Sequence, residues 1–196
     1  MKKIIFATNN LHKLEEVRTI LSGKAEIVSL AEIGCTDDIP ETAETLRENA
    51  ALKAKYVYEN YRADCFADDT GLEIDALGGK PGVFSARYAG EPSNPVNNVK
   101  KVLAEMEGLV NRAAQFRTVI TLLEKGEYHH FEGIVKGKIS HEPHGNGGFG
   151  YDPIFIPEGY TQTFAELSPG VKNAISHRAV AIRKFVEYLD DQINQN

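Results

Sequence analysis

The stretch KKIIFATNNLHKLEEVRTILSG, residues 2–23, sets the architecture. KKIIFAT is a short apolar run bounded by Asn-Asn, which predicts a buried strand. Leu11, Leu14, Val17 and Leu21 then recur on one helical stripe, with an Asn as N-cap and Gly23 as the C-cap candidate. A second strand, EIVSL, follows at residues 26–30. A long helix is expected from Thr42 or Thr45 to about Tyr61, since TLRE has capping-box spacing. CFAD and GLEIDAL read as two further strands and GGKPG as a turn. Ser93 or Asn94 with Pro95 opens a helix through Met106. Residues 114–140 alternate in two runs around Lys-Gly-Glu, a long hairpin. After a glycine-rich loop, Ser176 caps a last helix with Ile182, Phe185, Val186, Leu189 and Ile193 on its apolar stripe. Strand-helix alternation followed by a hairpin predicts an α/β fold with a mixed sheet.

The 196 residues can bury one good core, so one domain over residues 1–196 is expected. Apolar residues make up 42% and charged residues 26%, as in soluble globular proteins. A net charge of -6 argues against a bulk nucleic-acid binder, though local cations could still hold a small anion. Cys35 and Cys65 form neither CxxC nor metal-ligand spacing and read as two thiols in a reducing cytosol. The four-residue apolar run at the start is too short for a signal peptide or membrane span, so a cytoplasmic protein without a membrane partner is expected.

Several cations sit where helices disfavour them. A helix N-terminus carries roughly +0.5 of an elementary charge. Yet Lys13 lies in the first turn after Asn9-Asn10, and His177 and Arg178 follow Ser176 directly. Lys172 lies four residues past Ser168-Pro169, a cap-plus-N1 signal. Together they suggest N-termini built to meet an anion, although no Walker A loop is present. Asn49 and Lys53 share a helix face just after Glu41, a pattern that by itself predicts a surface salt-bridge face.

Asp68 and Asp69 are adjacent carboxylates followed by Thr70-Gly71. The Thr-Gly predicts that the strand ends there. One carboxylate would then reach a cleft while the other caps the turn, or both would sit in an Asx-turn. Carboxylates at Glu41, Asp68 and Asp69 with cations at Lys13, Lys53, Lys172 and Arg178 fit Mg²⁺-supported phosphoryl chemistry on a nucleotide.

Other patterns do not lead to chemistry. Gly145-Asn-Gly147-Gly-Phe-Gly150 matches G-x-G-x-x-G, but Tyr151-Asp152-Pro153 and an apolar IFI follow where a Rossmann fingerprint needs a helix. The loop does permit close backbone approach to a flat ring, with Phe149 and Tyr151 as stacking aromatics. His141-Glu-Pro-His144 is not HExxH, His129 and His130 point opposite ways on a strand, and no nucleophile elbow is present.

Five ordered blocks carry a resemblance across essentially the whole chain: TNNLHK (8–13), ENAALKA (48–54), FADDTGLEIDALGGKPGVFSARYAG (66–90), GGFGYDPIF (147–155) and KNAISHR (172–178). With them the chain closely resembles the inosine/xanthosine triphosphate pyrophosphatase family. The resemblance implies an elongated mixed sheet with flanking helices, two lobes around a nucleotide cleft, a homodimer, and Mg²⁺-dependent hydrolysis of deaminated purine nucleoside triphosphates to monophosphate and pyrophosphate. It implies that Thr8, Asn9, Asn10, Leu11, His12, Lys13 and Lys53 hold the triphosphate. Glu41 and Asp69 would hold the metal, with Asp69 also the base for water, and Thr70 would touch substrate. Phe149, Gly150, Tyr151, Asp152, Lys172, His177 and Arg178 would enclose the base and nearby phosphate. The chain departs from the pattern at Thr70, where Ser is common, and in having no Trp. The alternatives are an enzyme of different base or leaving-group specificity and a non-enzymatic nucleotide-binding module.

Overall fold

The computed structural model describes residues 2–37 and 39–194, the side chains of 2, 193 and 194 apart. Ile193, expected on the last helix's apolar stripe, therefore lies outside the described side chains. Seven strands form one mixed sheet among the described residues: β1 (Lys2–Phe6), β2 (Ala25–Ser29), β3 (Cys65–Ile74), β4 (Lys80–Pro81), β5 (Ala113–Glu124), β6 (Glu127–Ile139) and β7 (Phe155–Pro157). Their order is β2-β1-β3-β5-β6-β7, with β4 paired to β3. The helices are α1 (Leu11–Ile20), α2 (Leu46–Tyr61), α3 (Pro95–Glu105), α4 (Pro169–Ile175) and α5 (His177–Asn194). None of the described helices is long and apolar enough to cross a membrane.

The chain divides into two compact units, one of residues 1–69, 118–133 and 178–196, the other of residues 70–117 and 134–177. In the first, β1 pairs parallel with β2 and with β3, in register Ile4 with Ile27 and Phe6 with Phe66. A parallel sheet is covered on both faces, so its strands are apolar at consecutive positions. Ile4, Phe6 and Phe66 pack with Leu14 and Val17 of α1 and Ile182 and Phe185 of α5. Ile5, Ala7, Cys65 and Ala67 pack the other way, with Ala54 and Val57 of α2. This period of two decides where the residues after Ala67 must point.

In the second unit Leu72, Ile74, Phe116, Ile139 and Phe155 form the sheet's contribution to a core closed by Val99, Val102 and Met106. Asn94 caps α3, with Pro95 at its start. Strands β3 with β4 and β6 with β7 are antiparallel. Lys125 and Gly126, both with positive φ (51° and 85°), make the tight turn of the expected hairpin.

Two local expectations are corrected. β3 does not stop at Asp68-Asp69 but runs through Thr70-Gly71 to Ile74. Gly71 is needed for close approach, not for a turn: a Cβ there would meet the Gly82 carbonyl oxygen at 2.6 Å. Leu11 is 71% exposed, so the stripe of α1 begins at Leu14, and the helix is capped at Leu21 with Gly23 in the following turn. Of the two starts left open for α2, the structure takes Thr45, whose hydroxyl accepts from the Glu48 N–H.

Candidate functional site

The first unit gathers charged groups from four segments. Where β1 feeds α1, the Asn10 side chain accepts from the Lys13 N–H at 3.1 Å, and Thr8 accepts from the Asn10 N–H at 3.2 Å. Asn9 donates to the Asp37 carbonyl. Leu11 and His12 face solvent, whereas Lys13 turns inward and its Nζ donates to Asp68 Oδ1 at 3.0 Å. The first turn of α1 holds no acidic residue, so the charge meeting Lys13 comes from a distant strand and not from Glu15 or Glu16. Glu16 instead pairs with Arg178, at the start of α5.

Strand alternation separates the two aspartates. Asp68 shares the parity of Phe66 and emerges on the α1/α5 face, where it also accepts from Arg178 Nε at 3.1 Å. Burial by itself would raise the Asp68 carboxyl, but Lys13, Arg178 and Lys53 outweigh it and hold it well below the usual carboxylate range. Asp69 shares the parity of Ala67 and emerges toward α2, where Asn49 Nδ2 donates to its Oδ2 at 3.2 Å. Burial lifts the Asp69 carboxyl above its ordinary value, with Glu41 and Asp68 adding to the rise against Lys53 and Lys13. The doublet therefore contains one carboxylate whose ionised form is favoured and one that holds its proton more tightly.

Lys53, one turn beyond Asn49, donates to Glu41 and to the Asp68 carbonyl at 2.7 Å. Burial disfavours its charge, yet Asp69, Glu41 and Asp68 overcome this and raise it. Burial likewise opposes ionisation of Glu41, and Lys53 reverses the balance, leaving it lowered. Lys13 goes the other way: burial and the neighbouring Lys53 and Arg178 outweigh Asp68, and its ammonium is lowered. Asn49 and Lys53 are both buried, so the face of α2 expected to carry surface salt bridges is interior. Lys13, Lys53, Glu41 and Asp69 meet within this unit, with Asp68 and Arg178 as their neighbours.

The second unit holds another group. Lys172 Nζ donates to Asp152 Oδ2 at 2.6 Å, both side chains being buried, and the Phe149 N–H donates to the same oxygen at 2.8 Å. The ammonium lies 4.7 Å from the centre of the Phe149 ring, a cation–π contact. Gly148 makes this possible: it has φ +68°, and a Cβ would fall 2.1 Å from Asp152 Oδ2. Lys172 sits in the last turn of the short helix α4, four residues past its Ser168 cap, and its ammonium meets the Asp152 carboxylate of the chain. Tyr151 is not an exposed stacking ring; it is buried and its hydroxyl donates to the Ser85 carbonyl. Gly150 has φ +61° in the same loop, and Thr70 is half-buried where β3 enters this unit. His177 stacks on Phe116 with centroids 4.5 Å apart.

Residue reading alone missed Glu16 and Phe116 as members of these groups, and it placed Asn49 beside Lys53 on a face it took for surface. Asn49 left one trace, since Asn is a poor helix-interior residue and stands at i,i+4 from Lys53. Glu16 and Phe116 left none, because their partners are remote in sequence.

The Ham1 family profile matches residues 4–188. The chain is 57% identical over 190 residues to a dITP/XTP pyrophosphatase of Porphyromonas gingivalis, covering 96% of this chain and 98% of that one. It is 46% identical over 194 residues to the dITP/XTP pyrophosphatase of Bacillus subtilis, covering 97% and 98%. Among solved structures, a HAM1 protein from Coxiella burnetii superposes with a TM-score of 0.89 at 38% identity, covering 97% of this chain and 100% of that one. The Staphylococcus aureus Ham1 protein gives 0.88 at 37% identity, with the same coverage. The carboxylates, cations and glycine-rich loop described above thus lie on a fold and sequence shared along the whole chain, and the protein belongs to the Ham1 family.

Proposed function

We propose that this protein hydrolyses deaminated purine nucleoside triphosphates (ITP, dITP and XTP) to the monophosphate and pyrophosphate with the help of Mg²⁺, acting as a cytoplasmic homodimer in which residues 1–196 serve as one catalytic domain. The observation that carries this reading is the convergence of Lys13, Lys53, Glu41 and Asp69. Relatives named dITP/XTP pyrophosphatase at 46–57% identity support it.

The donor set fits a hard divalent cation. Glu41 and Asp69 supply carboxylate oxygens, and Glu41 is close enough to raise the Asp69 carboxyl by repulsion, a strain that a cation would relieve. When bound, Mg²⁺ would neutralise phosphate oxygens and polarise the phosphorus centre. Asp69, its carboxyl lifted by burial, takes a proton from the water that attacks the α-phosphorus. Lys13 and Lys53 balance the charge that accumulates on the departing pyrophosphate. The segment from Thr8 to Lys13 approaches the phosphates with the N-terminus of α1. Thr70 contacts substrate beside Asp69.

For the base, we assign Phe149, Gly150, Tyr151 and Asp152 with Lys172, His177 and Arg178. Phe149 offers a flat face, and Tyr151 contributes as a buried post under the loop. Hypoxanthine and xanthine present an acceptor at position 6 where adenine presents a donor. A buried donor from His177 or Arg178 discriminates, since an unsatisfied pair costs about 1–3 kcal/mol. The test is a panel of ITP, XTP, dUTP and ATP with and without Mg²⁺, pyrophosphate and orthophosphate being measured separately. Pyrophosphate release from ITP and XTP is expected. Orthophosphate release, preference for dUTP, or binding without turnover would replace the reading.

A further inference from the structure

We infer that Asn49 is a positioning residue: its buried amide ties the segment carrying Glu41 to Asp69 and so sets the spacing of the two carboxylates assigned to the metal. The inference rests on the metal reading above and extends it to a side chain assigned to neither substrate nor ion, whose hydrogen-bond partners are Ala43 and Asp69.

The geometry leaves little choice in how this amide is oriented. Asn49 is fully buried on α2. The backbone N–H of Ala43 can only donate, and it does so to Asn49 Oδ1 at 2.9 Å. That contact fixes which end of the amide is oxygen. The NH₂ end therefore faces Asp69 and donates to Oδ2 at 3.2 Å. Ala43 lies two residues after Glu41 and two before the Thr45 cap, so the same side chain anchors the approach to α2 and one oxygen of Asp69. One turn further along the helix, Lys53 holds Glu41 and the Asp68 carbonyl. Two buried polar side chains on one helical face thus grip both carboxylates, in a position where an apolar residue would favour the helix and the core. Groups that orient metal-binding carboxylates by a hydrogen bond commonly shift metal affinity about 10- to 100-fold when removed.

Asn98 provides a matched control in the other unit. It is also buried, accepts from the Ala89 N–H at 2.7 Å and donates to the Ala86 carbonyl at 3.0 Å, with no assigned metal carboxylate beside it. The experiment is calorimetric titration of Mn²⁺ into the nucleotide-free full chain as wild type, Asn49→Ala, Asp69→Asn, the double variant and Asn98→Ala, each checked by thermal melting. Asn49→Ala should weaken Mn²⁺ binding about tenfold or more. It should add little in the Asp69→Asn background, and Asn98→Ala should leave affinity unchanged. In turnover, Asn49→Ala should lower kcat and raise the Mg²⁺ requirement while KM for ITP moves little. Should Asn49→Ala fail to fold, Asn49→Ser, too short to reach Asp69, is expected to show the same loss. Wild-type affinity in a folded Asn49 variant, or equal weakening by Asn98→Ala, overturns the inference while leaving the proposed activity intact. A wild-type chain that neither binds Mn²⁺ nor cleaves ITP overturns both.

Discussion

Asp68 and Asp69 are neighbours on β3 that face opposite sides of the sheet, the first held by Lys13 and Arg178, the second by Asn49. One residue of offset gives the two carboxylates opposite electrostatic character, and the roles assigned to them follow from that difference.

Asp69→Asn should lower kcat by about 10²- to 10⁴-fold, the usual contribution of a general base. It should not harm the fold. The folded Asp69 binds its proton more tightly than the unfolded one, so its ionisation costs native stability as pH rises from the unfolded to the folded pKa, and that cost persists above. Urea unfolding of the metal-free variant at pH 7 is expected to show unchanged or increased stability. Near-normal turnover would remove Asp69 from the role of base.

Asp68→Asn should do the reverse, destabilising the first unit by about 3–5 kcal/mol, because Lys13 and the buried Arg178 lose a shared counter-charge. The folded pKa of Asp68 is depressed, so its contribution is complete above the unfolded value of about 3.9 and is lost as pH falls through the lower folded value. Denaturant midpoints of wild type and variant should differ by a constant amount from pH 5 to 7 and converge in stronger acid. A constant gap down to the acid limit contradicts the assignment.

Lys172→Met leaves Asp152 buried with the Phe149 N–H but without its cation, a loss of about 3–5 kcal/mol. Asp152→Asn combined with Lys172→Met removes both charges and should recover a large part of it. KM for ITP should rise in both, since Lys172 also fixes the Phe149 ring. Equal unfolding midpoints for single and double variants would show that the pair is not coupled.

Gly148→Ala places a Cβ against the Asp152 carboxylate at a positive φ, so strain and displacement act together. Gly159→Ala, with φ +84° and nothing within 4 Å, carries strain alone, about 1 kcal/mol. The first should unfold at lower urea than the second and raise KM for ITP, while the second leaves kinetics unchanged. Matching midpoints would mean that the loop yields without moving Asp152.

Much of this protein could be read from its order of residues. Apolar runs, cap signals within one to three residues of Asn10, Thr45 and Asn94, and the Lys-Gly turn are local signals, and local signals identify strands and helices because they act within a few residues. The two interior faces of the parallel sheet were implicit in KKIIF, whose consecutive apolar positions leave neither face wet. What sequence could not decide was the continuation of β3 through Asp68, Asp69, Thr70 and Gly71. Thr-Gly ordinarily marks a turn, and only the approach of Gly82 from outside the strand makes glycine a requirement of straight backbone there. That continuation alone assigns one aspartate to α1 and α5 and the other to α2. The partners of each carboxylate, and with them the sign of each pKa shift, depend on desolvation and on charges tens of residues away, and these come into being only when the chain is folded.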